Sequence, residues 1–147
     1  MRSPSPEVVA AVEQAERRAV SRLMSVAFTE QAVIERRKTV TRRKGWRFLK
    51  AGDRLTLCRK VQGRKPGEPL VRLAEVEVVI AERQPLDLLV NPTIDPRWAI
   101  REMAREGFPG MDPWEFIERY FIASQRMQSD DDVTRIEWRY LDEVAPC

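Results

Sequence analysis

The chain has 147 residues, 43% of them hydrophobic and 33% charged, a net charge of +3, two cysteines and no histidine. That length suits one domain able to bury a core without metal or disulfide support. The missing histidine excludes Ser-His-Asp and Cys-His catalysis and the usual His-containing zinc sites, so any general base must be Lys, Glu, Asp or Tyr with its pKa moved by its surroundings.

No apolar run approaches the ~20 residues that span a bilayer, and no apolar segment of signal-peptide type follows Met1 to Pro6. The expectation is a cytoplasmic protein with no membrane partner and no metal or organic cofactor. Cys58 alternates with apolar neighbours and reads as buried, and Cys147 reads as a frayed end. A disulfide between them is not expected in a reducing compartment.

Glu7 to Met24 reads as an amphipathic helix, with Val8, Val12, Ala15, Ala19 and Leu23 at helical spacing. It is expected to pack on the outside of the domain or against a second copy of the chain, as a homodimer contact. Met24 to Phe28 reads as a short strand. Thr29 is placed to cap a helix from Glu30 to Arg36, with Val33 and Ile34 facing inward. Lys38 to Arg43 then alternates as a strand. Ala51-Gly52-Asp53 is a tight turn before a strand from Arg54 to Val61, and Gln62 to Pro69 is an exposed loop.

Leu70 to Arg83 reads as a long strand stopped by Pro85, and the segment from Pro85 to Pro96 as irregular. Pro96 to Glu106 reads as a helix ended by Gly107, and Asp112-Pro113 opens another with Trp114, Ile117, Tyr120 and Phe121 on its apolar side. Ser124 to Asp132 is polar, and Val133 to Leu141 closes the chain as a strand. Several strands with short helices and no βαβ rhythm predict an α+β fold, a small mixed β-barrel with flanking helices and an added N-terminal helix.

Charge is unevenly placed. Between Arg36 and Lys60 the only acid is Asp53, while basic residues recur throughout; acids gather later, from Glu102 to Asp132. Such a field suits phosphates, although a solvated basic face is the plainer alternative. Within it lies Lys38-Thr39-Val40-Thr41-Arg42-Arg43. A threonine hydroxyl needs a base to become a nucleophile, and a desolvated lysine is the base available. Crowding by Arg36, Arg37, Arg42 and Arg43 would lower its pKa. Glu106, ending a helix beside a Gly-Pro-Gly loop, is the carboxylate best placed to orient it. From spacing alone the plainer reading, a surface Lys38 and two strand-forming threonines, stands ahead. Trp46 and Arg47 suit stacking of a base and holding of a phosphate, and plugging a barrel end suits Trp46 equally well.

These residues resemble the ASCH domain family of the PUA-like superfamily. The resemblance rests on Lys38-Thr39-Val40-Thr41-Arg42-Arg43, on Gly52-Asp53 opening a strand, on Ala104-Arg105-Glu106-Gly107-Phe108, and on the final strand. It covers about residues 24 to 141 and divides the chain into a helical extension, 1–23, and an ASCH/PUA-like domain, 24–147. It implies a PUA-like barrel with a cleft beside the helix-to-strand turn, and recognition of RNA or of a modified nucleoside or nucleotide. A bacterial branch of the family consists of N4-acetylcytidine amidohydrolases that use a Lys, a Thr and a Glu, which match Lys38, Thr41 and Glu106. Arg43 matches the arginine that closes the motif. Arg36 departs from the pattern, which has a small residue there.

The leading expectation is therefore RNA or modified-nucleotide binding through Arg36, Arg37, Thr39, Arg42, Arg43, Trp46 and Arg47. The second is amide hydrolysis on an acylated cytidine-like base by Lys38, Thr41 and Glu106. The third is a protein-interaction module.

Overall fold

The computed structural model describes residues 3–19 and 21–142. Cys147 lies outside them, as do the side chains of Ala15 and Ala19. Helix α1 spans Pro6–Ala19 and strand β1 Ser21–Ser25. The predicted helix to Met24 is thus too long. Residues 21–25 pair in parallel with β3, Arg54–Cys58, and this non-local ladder outweighs the helical spacing of Leu23. Val8 and Val12 on α1 remain about half exposed.

A 3₁₀ turn, Ala27–Thr29, leads into α2, Glu30–Ile34. Thr29 makes no side-chain capping bond there. Val33 is buried but Ile34 is exposed, so only one of the two residues expected inside faces inward. Strand β2 is Val40–Arg43, β4 is Arg72–Pro85 and β5 is Asp132–Tyr140. Between β4 and β5 lie a 3₁₀ turn at Leu86–Val90, helix α3 at Pro96–Glu106, and helix α4 at Pro113–Ile117, which runs on into a π-helical turn at Glu118–Ala123.

The local signals around α3 and α4 operate as the residue types dictate. Asp95 Oδ1 accepts the Arg97 amide at 3.0 Å, with Pro96 at the first helical position. Gly107 ends α3 in the left-handed region, φ 98°. A Cβ at Gly107 would lie 3.0 Å from Thr29 Cγ2, so the residue permits both the turn and the contact with Thr29. Asp112 Oδ2 accepts the Glu115 amide at 3.2 Å to start α4.

The strands form one five-stranded sheet in the order β1-β3-β4-β5-β2, with β1 parallel to β3 and every other pair antiparallel. The predicted β-barrel is overturned: the sheet is open. Closure would need its outer strands, β1 and β2, to bond each other, yet β1 pairs with β3 and β2 with β5. One hydrophobic cluster, including Met24, Leu55, Leu57, Val76, Ile136 and Trp138, packs on the sheet. A second joins the helices to the far end of β5 through Leu86, Met103, Phe116, Ile117, Phe121 and Val133. Among the described residues no helix is long and apolar enough to cross a membrane.

Candidate functional site

The gap between the outer strands is occupied by a cleft of about 360 Å³. The end of β1 and the turn after it (Ser25, Phe28, Thr29) line one side, and Lys38 with Thr41, Arg42 and Arg43 of β2 the other. Arg43 spans the two: its Nη2 donates to the Ser25 carbonyl at 2.7 Å. The open seam of the sheet is therefore the mouth of the site.

Lys38 is positioned by its main chain. Its amide bonds the Ala32 carbonyl at 3.2 Å, just after α2. Its carbonyl accepts from Trp138 Nε1 at 3.0 Å and from the Tyr140 hydroxyl. Thr39 N–H donates to the Arg105 carbonyl at 2.9 Å. The side chain then meets the end of α3, where the last helical carbonyls lack intrahelical donors. Nζ donates to the Glu106 carbonyl at 2.6 Å and to Glu106 Oε2 at 3.4 Å. A cation at a helix C-terminus also complements the helix dipole.

Lys38 is 2% exposed, and its pKa falls from 10.5 to about 8. Burial is the main cause; Glu106 pulls the other way, and Arg43 and Arg42 add like-charge repulsion. Arg36 and Arg37, expected to share in that crowding, stand elsewhere. Arg37 is exposed and pairs with Glu35. Arg36 pairs with Asp142 and lies over the Tyr140 ring. Its φ of 62° is left-handed, where a residue without Cβ sits more easily. The long Arg36 side chain turns away from the cleft, whose lining does not include it.

Beneath the floor Glu102 and Glu106 face inward together, four residues apart on α3. Arg42 Nη1 joins both, at 3.3 and 3.0 Å. Arg135 Nη2 reaches Glu102 Oε1 at 2.7 Å. Among the described residues Arg42 Nε has no acceptor, and the guanidinium carbon lies 5.8 Å from the Trp98 ring centre. Thr41 is buried, and its Oγ1 accepts from Arg43 Nε at 3.1 Å, which leaves its own proton outside that contact.

The opposite wall is aromatic. Phe108, after Gly107, stacks on Tyr120 with ring centres 4.8 Å apart, and Phe28 lies 5.5 Å from Tyr120. Phe28 is 80% exposed although it lines the cleft. The π-helical turn carries Tyr120 and Phe121 into the wall, a local distortion common at functional sites. In the sequence Phe108 reads as loop and Tyr120 as helix packing. The Gly-Phe-Pro-Gly loop directly after Glu106 was the one local signal for the wall.

Lys38, Thr41, Arg42, Arg43 and Glu106 thus share one cleft. Thr39 and Arg47 are not part of its lining, and Trp46 packs against the sheet core. A second groove of about 450 Å³ is lined mainly by apolar and proline residues; its Asp95 and Asp112 are both helix caps. Among the described residues no group of three or more His, Cys, Asp or Glu side chains is placed to hold a metal ion.

No family model matches this sequence, and no curated protein does. Among solved structures the fold is similar to that of protein EF3133 from Enterococcus faecalis, of family DUF984, with a TM-score of 0.52 and 16% identity. The match covers 92% of this chain and 86% of that one. An ASCH domain from Lactobacillus crispatus gives a TM-score of 0.49 at 11% identity, over 93% of this chain and 86% of that one. At such identities the likeness concerns the fold.

Proposed function

We propose that the cleft binds a planar ligand of nucleoside size, a modified nucleoside or nucleotide, free or within RNA. The observation that carries this reading is the pairing of a buried polar floor with an aromatic wall. Lys38 offers donors, Glu106 an acceptor and Thr41 both, which suits the edge of a base. Phe28, Phe108 and Tyr120 offer faces for stacking, the usual way an unpaired base is held. The volume lies at the lower end of the range for small-ligand pockets. Exposed Arg37 and Arg47 are available to the phosphates of a longer RNA, whose affinity would then fall with added salt.

The test is calorimetric titration with cytidine, N4-acetylcytidine, uridine and adenosine. At least one binds the wild type, and Phe28→Ala weakens that binding roughly 5- to 150-fold. Folded wild type that binds none of them overturns the reading and leaves the protein-interaction alternative.

A second reading, amide hydrolysis on an acylated cytidine-like base, is favoured by the lowered pKa of Lys38 beside Thr41 and Glu106. Neutral Lys38 would take a proton from the Thr41 hydroxyl or from an attacking water. Glu106, which accepts from Lys38 Nζ, would relay that proton from Lys38 to the departing amine as the acyl C–N bond breaks. Turnover of N4-acetylcytidine then rises with pH through an inflection near 8, as Lys38 loses its proton, and vanishes in Lys38→Ala. A pH-independent rate, or a rate that survives in Lys38→Ala, removes Lys38 from the base role.

A further inference from the structure

The cations around the seam are unequally partnered. Lys38 meets Glu106, Arg42 meets Glu102 and Glu106, and Arg135 meets Glu102 and Glu137. Arg43 forms no ion pair with a carboxylate among the described residues. Its Nη2 and Nε donate to neutral oxygens, the Ser25 carbonyl and Thr41 Oγ1, and Nη1 has no protein acceptor among the described residues. Around the floor four cations, Lys38, Arg42, Arg43 and Arg135, face three carboxylates, the fully buried Glu102 and Glu106 and the partly exposed Glu137. Both Glu106 oxygens are engaged, Oε1 by Arg42 and Oε2 by Lys38. The uncompensated positive charge therefore emerges at Arg43, on the cleft lining. Burial of a guanidinium that bonds no carboxylate is unfavourable; burial pushes the Arg43 pKa down, and the charge of Glu106 offsets this only in part.

We propose that the ligand of this cleft carries an oxyanion, a phosphate or a carboxylate, next to its planar ring, and that Arg43 receives it through Nη1. The inference rests on the cleft being a site for a planar ligand and adds a chemical class to it. Nη1 carries two N–H groups, and charge-assisted bonds of this kind are the strong ones. Lys38, still mostly protonated at neutral pH with a pKa of about 8, adds to the attraction.

The experiment compares matched pairs by calorimetry on wild type and Arg43→Gln: cytidine against cytidine 5′-monophosphate, uracil against orotate, and inorganic phosphate alone. Thermal melts establish that the variant is folded. The expected result is that at least one acidic partner binds the wild type roughly ten-fold or more tightly than its neutral counterpart. That advantage shrinks with added salt and disappears in Arg43→Gln while the neutral ligand still binds. An advantage in the first pair assigns a phosphate; in the second, a carboxylate. Equal affinities within both pairs overturn the inference and leave the planar-ligand reading standing, as does an advantage that survives in Arg43→Gln. If Arg43→Gln does not fold, the wild-type pairs and their salt dependence decide. Arg43-dependent binding of phosphate alone, with no nucleoside or nucleobase bound, supports the anion site and overturns the planar-ligand reading. Silence of every probe overturns both.

Discussion

Glu102 and Glu106 sit one helical turn apart on the same face of α3, and both are buried. Glu102 is held by arginines, with Arg135 Nη2 at 2.7 Å and Arg42 Nη1 at 3.3 Å. Glu106 shares Arg42 but has Lys38 as its second partner, and it opens on the cleft. An arginine does not give up its proton in a protein, whereas a desolvated lysine does. One carboxylate therefore has permanent counter-charges and braces the sheet against the helix. The other has a partner whose charge changes near pH 8. The same residue type on the same helix face has a fixed or a titrating partner according to which cation stands opposite.

Four measurements bear on that contrast. The largest effect is expected for Glu102→Ala, which takes a shared buried counter-charge from Arg42 and Arg135 and leaves them Glu106 and Glu137 alone; urea unfolding should show a loss of about 3–5 kcal/mol. A loss below about 1 kcal/mol would remove Glu102 from the frame. Next comes the pH dependence of Lys38. Its folded pKa of about 8 lies below the ordinary 10.5, so between those values the unfolded chain holds a proton that the folded chain has released. Stability then rises with pH. Wild type should gain on Lys38→Met across that window, by on the order of 3 kcal/mol, and a flat difference would show that Lys38 is not the titrating partner.

Gly107→Ala tests how Glu106 is presented. The added Cβ would lie 3.0 Å from Thr29 Cγ2 at a φ of 98°. A thermal melt should report about 1–3 kcal/mol of destabilisation, together with weaker ligand binding because the Glu106 carbonyl moves. No change in either would uncouple the helix end from the site. The smallest stability effect belongs to Phe28→Ala. At 80% exposure the side chain contributes within about 0.5 kcal/mol to folding, so a loss of ligand affinity there separates cleft from frame most cleanly.

Local chemistry made parts of this arrangement legible in the sequence. The Asp95-Pro96 start and Gly107 stop of α3 are written in adjacent residues, and they put Glu106 at a helix end. The family resemblance joined Glu106 to Lys38 and Thr41, which spacing alone did not favour. What escaped is non-local. Ser21 to Leu23 reads as helix until β3 is present to pair with it. Nothing in the order of the strands announces that β1 and β2 stay apart. Glu102 reads as one acid among several, since its arginines come from positions 42 and 135. Phe28, on a three-residue 3₁₀ turn, has no periodicity to mark it as a wall.

The Arg43 bridge to the Ser25 carbonyl has one more consequence. Where backbone ladders join strands, spacing is fixed at about 4.8 Å and is indifferent to side-chain identity. Here, among the described residues, a guanidinium bonds across the join, so the contact depends on the side chain at one position. The apolar cluster on the sheet uses neither Arg43 nor Ser25. The acceptor is a main-chain carbonyl that any residue at position 25 would supply, so a change at Arg43 alone would release the join while the core beneath keeps its packing.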